Sequence, residues 1–461
     1  MIKKQNFIYS LTIGLVFILT FIAYAFYNVN QRVTSLFNYI LLLLLLIDFV
    51  LMFMNKEWKM WNKSKILAML FLVFNFLTII INDNIVNSFK IFTFSCLQLI
   101  ILFNYTDKRW KITGIILTNF IVCTFITSII GITLYFNGIN ITLYTGRHCG
   151  IYSNPNIGGI LAVISLIFSI IILKRFQIFK IFLIFNIIVQ SIEIILCGSR
   201  ASYVTLLIFM LVFSYFVSRI LRFNKVKAII FSFVIMLASI STYIVIEKSI
   251  VYVKNEIYLY SIRDEEAIPK NSVINIEKEN TDTVAEDNNV DAEEVDSRIA
   301  NLGRDNSEES TMGRIEFILN GLRTGLKHPI LGVSSANLSR ALLENANTEY
   351  SAMVVGGSHN SYVDLFVSNG IIGLLVFLLI ILVVLYKGFL HIKILLITDD
   401  YETKDEIIYL GIYSLFFSLI FYGLFESNLI LSGSIVATVF WFCGGYLVND
   451  KKEVKYHNSS I

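Results

Sequence analysis

The chain has 461 residues, of which 56% are hydrophobic and 15% charged, with a formal net charge of +3 and a mean hydropathy of +0.71. Such a composition is hard to keep soluble as an ordinary globular domain, and the small net charge says less than its distribution along the chain. It predicts a chain that lives mostly in a bilayer.

Near the N-terminus, Lys3-Lys4, an apolar run and Ala23-Tyr24-Ala25 imitate a cleaved signal peptide. The run is too long for that, so it reads as a retained first span. Apolar runs of spanning length then recur at 7–27, 36–54, 66–82, 86–104, 112–136, 156–173, 178–196, 200–217, 227–246, 359–386, 407–425 and 430–448. Because a helix needs roughly 20 apolar residues to cross, this predicts an all-α polytopic membrane protein with about twelve transmembrane helices.

Basic residues orient the helices, since Lys and Arg concentrate in loops that stay cytoplasmic. Lys56, Lys59, Lys63 and Lys65 mark one such loop; Lys108, Arg109 and Lys111 mark another; Lys174 and Arg175, then Arg219, Arg222, Lys225 and Lys227, mark the next two. The opposite short loops hold only Arg32, Arg147 and Arg200. Both termini are thus expected in the cytoplasm, with Lys451, Lys452 and Lys455 in agreement.

The expected organisation is a nine-helix region over 1–246, a large extracytoplasmic loop over 247–358, a three-helix region over 359–448 and a tail over 449–461. Within the loop, 263–310 is densely acidic and poor in aromatics, which predicts disorder or loose order rather than a calcium site, because no DxDxDG pattern occurs. Over 311–358 the spacing of Ile315, Phe317, Ile318, Leu319, Leu322 and Leu326 predicts amphipathic helices on the outer membrane surface, followed by turns at Lys327-His328-Pro329 and Leu331-Gly332-Val333.

The five cysteines, Cys96, Cys123, Cys149, Cys197 and Cys443, have no CxxC spacing. They read as small packing residues, with a Cys149–Cys197 bridge as the other possibility, and no metal site is implied. No Walker, Rossmann or nucleic-acid motif occurs, which argues against an ATP-driven pump.

Polar residues at the outer lip carry the candidate chemistry. Arg147 lies in Gly146-Arg147-His148-Cys149-Gly150, ahead of Asn154-Pro155-Asn156. Asn154 predicts a helix start with Pro155 in the first turn, where free N–H groups beside a guanidinium would bind an anion. Arg200, in Cys197-Gly198-Ser199-Arg200, sits at a short hinge, with Glu193 seven residues earlier as its expected ion-pair partner should the helix continue. Gly313-Arg314 opens the amphipathic part of the large loop. His359, in Gly356-Gly357-Ser358-His359-Asn360-Ser361-Tyr362, stands at the lip of a span, where an imidazole can transfer protons near neutral pH.

The Arg147 and Asn154-Pro155-Asn156 loop, the Ser199-Arg200 hinge, Gly313-Arg314, and His359-Asn360-Ser361-Tyr362 with Gly370 and Gly373 behind it together resemble the bacterial O-antigen ligase and polysaccharide polymerase superfamily. That resemblance implies a glycosyltransferase using an undecaprenyl-diphosphate-linked oligosaccharide on the outer face of the bacterial cytoplasmic membrane. It implies inverting transfer without a metal or other cofactor, with His359 as base and Arg314 and Arg200 as catalytic groups at the diphosphate. Arg147, Asn154, Asn156, Asn360 and Tyr362 are the implied substrate-binding residues. The expected partners are the lipid-linked donor, an acceptor glycan, the bilayer, a flippase and a chain-length regulator, and no nucleic acid. The leading expectation is polymerisation of repeat units into a capsular, exopolysaccharide or O-antigen-like polymer, with transfer of a finished glycan to a terminal acceptor as the alternative. A transporter or flippase is disfavoured by the outer-lip position of the charges and the absence of a visible repeat.

Overall fold

The computed structural model describes residues 63–80, 110–137, 148–152, 154–175, 179–267, 308–346, 357–398, 404–430 and 434–448, with a few isolated positions before 63 and between 89 and 99. The expected spans at 7–27, 36–54 and 86–104 and the acidic segment over 268–307 fall largely or wholly outside these residues, as do Arg147 and Cys96.

Every regular element among the described residues is a helix. In chain order these are α1 (Lys63–Ile80), α2 (Trp110–Phe136), α3 (Pro155–Ile172), α4 (Lys180–Cys197), α5 (Arg200–Ile220), α6 (Lys225–Ala267), α7 (Glu308–Lys327), α8 (Leu338–Glu344), α9 (Ser361–Thr398), α10 (Lys404–Tyr422) and α11 (Ile435–Val448). Six of them, α2 to α6 and α9, are long and apolar enough to cross a membrane, and α1, α10 and α11 supply shorter apolar stretches.

The bundle is organised around α3, which is buried along almost its whole length and packs on α2, α4, α5 and α10. Apolar attraction between helices is weak where lipid is the alternative neighbour, so polar contacts and close approach matter more. The face of α4 that carries Asn186, Gln190, Glu193 and Cys197 recurs at helical spacing and is buried. Asn186 Nδ2 donates to the hydroxyls of Ser165 (3.1 Å) and Ser169 (2.8 Å) on α3. Gln190 Nε2 donates to Asn186 Oδ1 at 3.0 Å, and its own carbonyl accepts from Ser128 of α2 at 3.1 Å. This ladder ties α2, α3 and α4 together through the apolar interior.

Two helices outrun their expected spans. α6 has 43 residues, about 65 Å at 1.5 Å per residue, roughly twice the hydrocarbon thickness. It therefore continues beyond the 227–246 run and through 263–267, a stretch expected to be loose. At the other end of the segment expected to form the large loop, α7 begins at Glu308, so residues 308–310 are helical too.

α9 is interrupted at Gly370, whose φ of 64° and ψ of −172° break the helix. The interruption frees the carbonyls of Val367 and Ser368, which accept from the N–H groups of Val333 (2.9 Å) and Ser334 (2.9 Å), while Ile371 N donates to Pro329 O at 2.8 Å. The turns expected at 327–333 thus become a plug seated in the kink. A Cβ on Gly370 would stand 2.1 Å from the Ile330 carbonyl oxygen, so glycine is required both for its positive φ and for this approach.

α7 is laid along the first half of α9 by a pair of glycines. A Cβ at Gly321 would meet Val363 at 2.5 Å, and one at Gly325 would meet Phe366 at 2.4 Å. The face turned to the protein carries Phe317, Asn320, Gly321, Thr324 and Gly325, all buried. Ile315, Leu319, Leu322 and Leu326 form the opposite, exposed stripe. The amphipathic helix expected from the sequence is present, with small and polar residues toward the protein and its large aliphatics turned outward.

Candidate functional site

The turn before α9 is fixed by its own side chains. Asn360 caps the helix, its Oδ1 accepting from the N–H groups of Tyr362 (3.0 Å) and Val363 (3.1 Å). Buried Asp364 accepts from Ser358 N at 2.7 Å, and the Ser358 hydroxyl donates to the Asn360 carbonyl at 3.1 Å. Between these clamps His359 takes φ 56°, a left-handed conformation that a non-glycine residue holds only when its surroundings impose it. Its side chain is 34% exposed.

The same turn is stitched to the connection between α10 and α11. Ser361 N donates to Gly423 O (2.8 Å), Asn360 Nδ2 to Leu424 O (3.1 Å) and Ser361 Oγ to Glu426 O (2.5 Å). In return Leu429 N donates to Ser361 Oγ at 3.2 Å. These bonds set the Glu426 side chain opposite His359, with Oε2 at 3.9 Å from His359 Nδ1.

Glu426 is 5% exposed and gathers groups from three parts of the chain. Asn156 Nδ2, in the first turn of α3, donates to Oε1 at 2.7 Å. Arg314 Nη2, near the start of α7, lies 3.8 Å from the same oxygen. The arginine reaches it because the protein-facing side of α7 also places the Phe317 ring 5.6 Å from the His359 ring. At 3.8 and 3.9 Å the arginine and histidine feel the carboxylate's field without being hydrogen-bonded to it, leaving hydrogen-bonding capacity for a ligand. A unit-charge attraction at this range is worth between about 1 kcal/mol in water and about 4 kcal/mol near an effective dielectric of 20; the exposure of His359 places it toward the lower end.

Of the residues singled out from the sequence, the structure brings His359, Arg314 and Asn156 together on Glu426. Asn154 is the N-cap of α3 with Pro155 in its first turn, as expected. The free first-turn amides expected there are not found. Asn156 N is taken by Asn154 Oδ1 (2.8 Å), and the N–H groups of Ile157 and Gly158 both point to Asn154 O (3.0 and 3.3 Å), because an asparagine cap satisfies the donors that would otherwise bind an anion.

Arg200 opens α5 behind the Ser199 cap, which accepts from Ser202 N at 3.3 Å, and its side chain is exposed. It stands at the same end of the bundle as Glu426, since Ser202 Oγ reaches the Asn156 carbonyl at 3.4 Å. The register expected to pair Arg200 with Glu193 does not exist. Gly198, with φ 56° and ψ 31°, ends α4 and a new helix starts at Arg200, so the two residues do not share a helical face. Glu193 Oε2 lies 3.0 Å from His148 Nε2. Asn360 and Tyr362 have structural partners: the former caps α9, and the Tyr362 hydroxyl donates to Ile420 O at 2.7 Å. Arg147 lies outside the described residues.

Glu426 was not foreseen. Its signal was an acid in a very short connection between two apolar runs, on the side predicted to face outward with His359. Carboxylates at such a depth pair with cations or polar partners or mark function.

These features define an all-helical membrane protein whose His359, Arg314, Asn156 and Glu426 converge where helix ends meet. Residues 185–378 match the family model described as O-antigen ligase. The match takes in Glu193, Arg200, Arg314, His359 and Gly370, while Asn154, Asn156 and Glu426 lie outside it. A domain of this family supports activity of the ligase or polymerase type. Comparison with curated proteins gave no match.

Proposed function

We propose that this protein is a membrane glycosyltransferase that polymerises undecaprenyl-diphosphate-linked oligosaccharide repeat units into a capsular, exopolysaccharide or O-antigen-like polymer at the outer face of the bacterial cytoplasmic membrane. The observation that carries this is the convergence of an imidazole and a guanidinium on one buried carboxylate, within reach of hydrogen bonding to a ligand. In this reading the acceptor hydroxyl attacks the anomeric carbon from the side opposite the leaving group. The new glycosidic bond forms as the bond to the diphosphate breaks, the electron pair leaves on the diphosphate, and the hydroxyl proton passes to His359. The product is inverted.

Glu426 then faces a ring that has acquired positive charge and keeps Nδ1 turned inward, so that Nε2 would take the proton. Arg314, with Arg200 and Arg147 from neighbouring loops, would stabilise charge developing on the diphosphate through bidentate contacts. Asn154 and Asn156 contribute by shaping the α3 corner, and Asn360 and Tyr362 by holding the His359 turn. About twelve spans, cytoplasmic termini and an extracytoplasmic large loop complete the proposal, with a flippase and a chain-length regulator as functional partners.

The description of the matched family favours a second reading, transfer of a finished glycan to a terminal acceptor. Purified protein incubated with lipid-linked repeat units separates the two: a ladder of products supports polymerisation, a single transfer supports the ligase reading, and no transfer with competent donor and acceptor rejects both.

A further inference from the structure

On the far side of the first turn of α3 from Glu426 lies a second cluster, which the glycan chemistry does not use. His148 Nε2, a Glu193 carboxylate oxygen and Cys197 Sγ lie within 4.8 Å of one another, and all three residues are buried. Nε2 is 3.0 Å from Glu193 Oε2, and Sγ is 3.7 Å from Glu193 Oε1. The ring of His148 is held edge-on by Tyr135 of α2, with centroids 5.1 Å apart. Glu193 and Cys197 are one helical turn apart on α4, which sets their side chains on one face.

We propose that His148, Glu193 and Cys197 form a binding site for a divalent transition metal of the zinc type. Zinc bonds of about 2.0–2.3 Å to nitrogen, oxygen and sulfur in a tetrahedron place neighbouring donor atoms about 3.3–3.6 Å apart; here Nε2 stands 3.0 Å from one Glu193 oxygen and Sγ 3.7 Å from the other, and with one donor atom from each residue the three lie within 4.8 Å of one another, so small side-chain rotations would bring them onto one ion. One imidazole, one carboxylate and one thiolate are the ligand types zinc accepts, and they leave one tetrahedral position for a water. Electrostatics agree: a divalent ion with one carboxylate and one thiolate is neutral overall, so burying the group avoids the cost of an isolated charge.

The surroundings are cut to this cluster by three glycines. A Cβ on Gly150, whose φ is 61°, would come within 3.0 Å of Glu193 Oε1; one on Gly158 would come within 3.0 Å of Cys197 Sγ; and one on Gly131 would stand 2.7 Å from Gly150 Cα and 3.4 Å from the His148 ring. Each glycine admits a ligand or its loop at a distance a side chain would forbid. Metal binding releases the thiol proton and requires a lone pair on Nε2, with the ring proton on Nδ1. The ion would pin the 148–150 loop to the end of α4, and through that loop the Asn154–Asn156 corner that supports Glu426.

The test uses full-length protein in detergent, stripped by chelation and titrated with Co²⁺ and then Zn²⁺. One equivalent of Co²⁺ should bind with a thiolate-to-cobalt charge-transfer band, and Zn²⁺ should displace it. Cys197→Ser should remove the band and weaken Zn²⁺ binding about tenfold or more, while Cys443→Ser, a buried thiol on α11, should change neither. Glu193→Gln preserves shape and should also weaken Zn²⁺ binding. Absence of the band in wild type, its persistence in Cys197→Ser, or unchanged Zn²⁺ affinity in Glu193→Gln each overturns the site and leaves a hydrogen-bonded triad. None of these readouts depends on glycan transfer.

Discussion

His359 Nδ1 stands 3.9 Å from Glu426 Oε2, across a gap set by bonds from the Ser361 N–H to Gly423 O and from the Ser361 hydroxyl to Glu426 O rather than by the two side chains themselves. The imidazole can therefore change protonation state or contact a ligand without dismantling the turn that carries it. His359→Ala should lower turnover by about 10²- to 10⁴-fold, the usual contribution of a general base, with membrane insertion intact. Polymer of normal length from a His359→Ala strain with confirmed expression would remove the base assignment.

Glu426→Gln retains the shape of the side chain and its acceptor for Asn156 Nδ2, but removes the charge facing His359 and Arg314. Turnover should fall by roughly tenfold, equivalent to about 1.4 kcal/mol, with little change in thermal unfolding. A variant that loses stability in parallel with turnover would show that Glu426 is chiefly a packing partner for Asn156.

Arg314→Lys keeps a cation but loses the planar fork that matches a diphosphate. The expected loss in kcat/KM is about 10- to 100-fold, within the range for charge-assisted hydrogen bonds of about 1.5–3 kcal/mol. Steady-state kinetics on lipid-linked donor read this directly, and a lysine variant as active as wild type would argue against bidentate phosphate contact.

Gly370→Ala places a methyl group 2.1 Å from the Ile330 carbonyl oxygen at a positive φ. Both the strain and the clash act against the plug formed by 329–334, so the variant should be destabilised by about 2 kcal/mol or more. Thermal unfolding in detergent and protease sensitivity around 330 would register it. Gly388→Ala, next to the ring of Tyr413, is a useful comparison, because a side-chain neighbour can give way more readily than backbone.

The stripe Ile315, Leu319, Leu322 and Leu326 on α7 is exposed, and the proposal places it in the membrane surface. In Leu322→Trp protein reconstituted with brominated lipids, the new indole should be quenched. A cysteine at Asp287, in a cysteine-free background, should react with an impermeant label added outside intact cells. Label reaching it only after permeabilisation would reverse the proposed orientation and remove the outer-face reading of the site.

What the chain alone determined is set by local and collective physics. Runs such as 156–173 and 178–196 are apolar over a bilayer's width, Asn154 with Pro155 behind it carries the cap chemistry of a helix start, and Arg314 and His359 stand out as polar groups beside such runs. Each of these can be recognised from neighbouring residues.

Only the tertiary structure decided who meets whom. Asn156 and Glu426 are 270 positions apart in sequence, and no periodicity connects them. Their meeting depends on how α3 lies against α10 and how the α10–α11 connection is sewn to Ser361. The pairing expected for Glu193 failed because one left-handed glycine, Gly198, ends the helix and cancels the shared face with Arg200. The outward turn of α7 was decided by close packing of Gly321 and Gly325 on α9, for which glycine leaves no trace in a hydrophobic pattern. Distant contact and backbone approach are properties of the folded bundle, and they complete the site that His359 and Arg314 mark in the sequence.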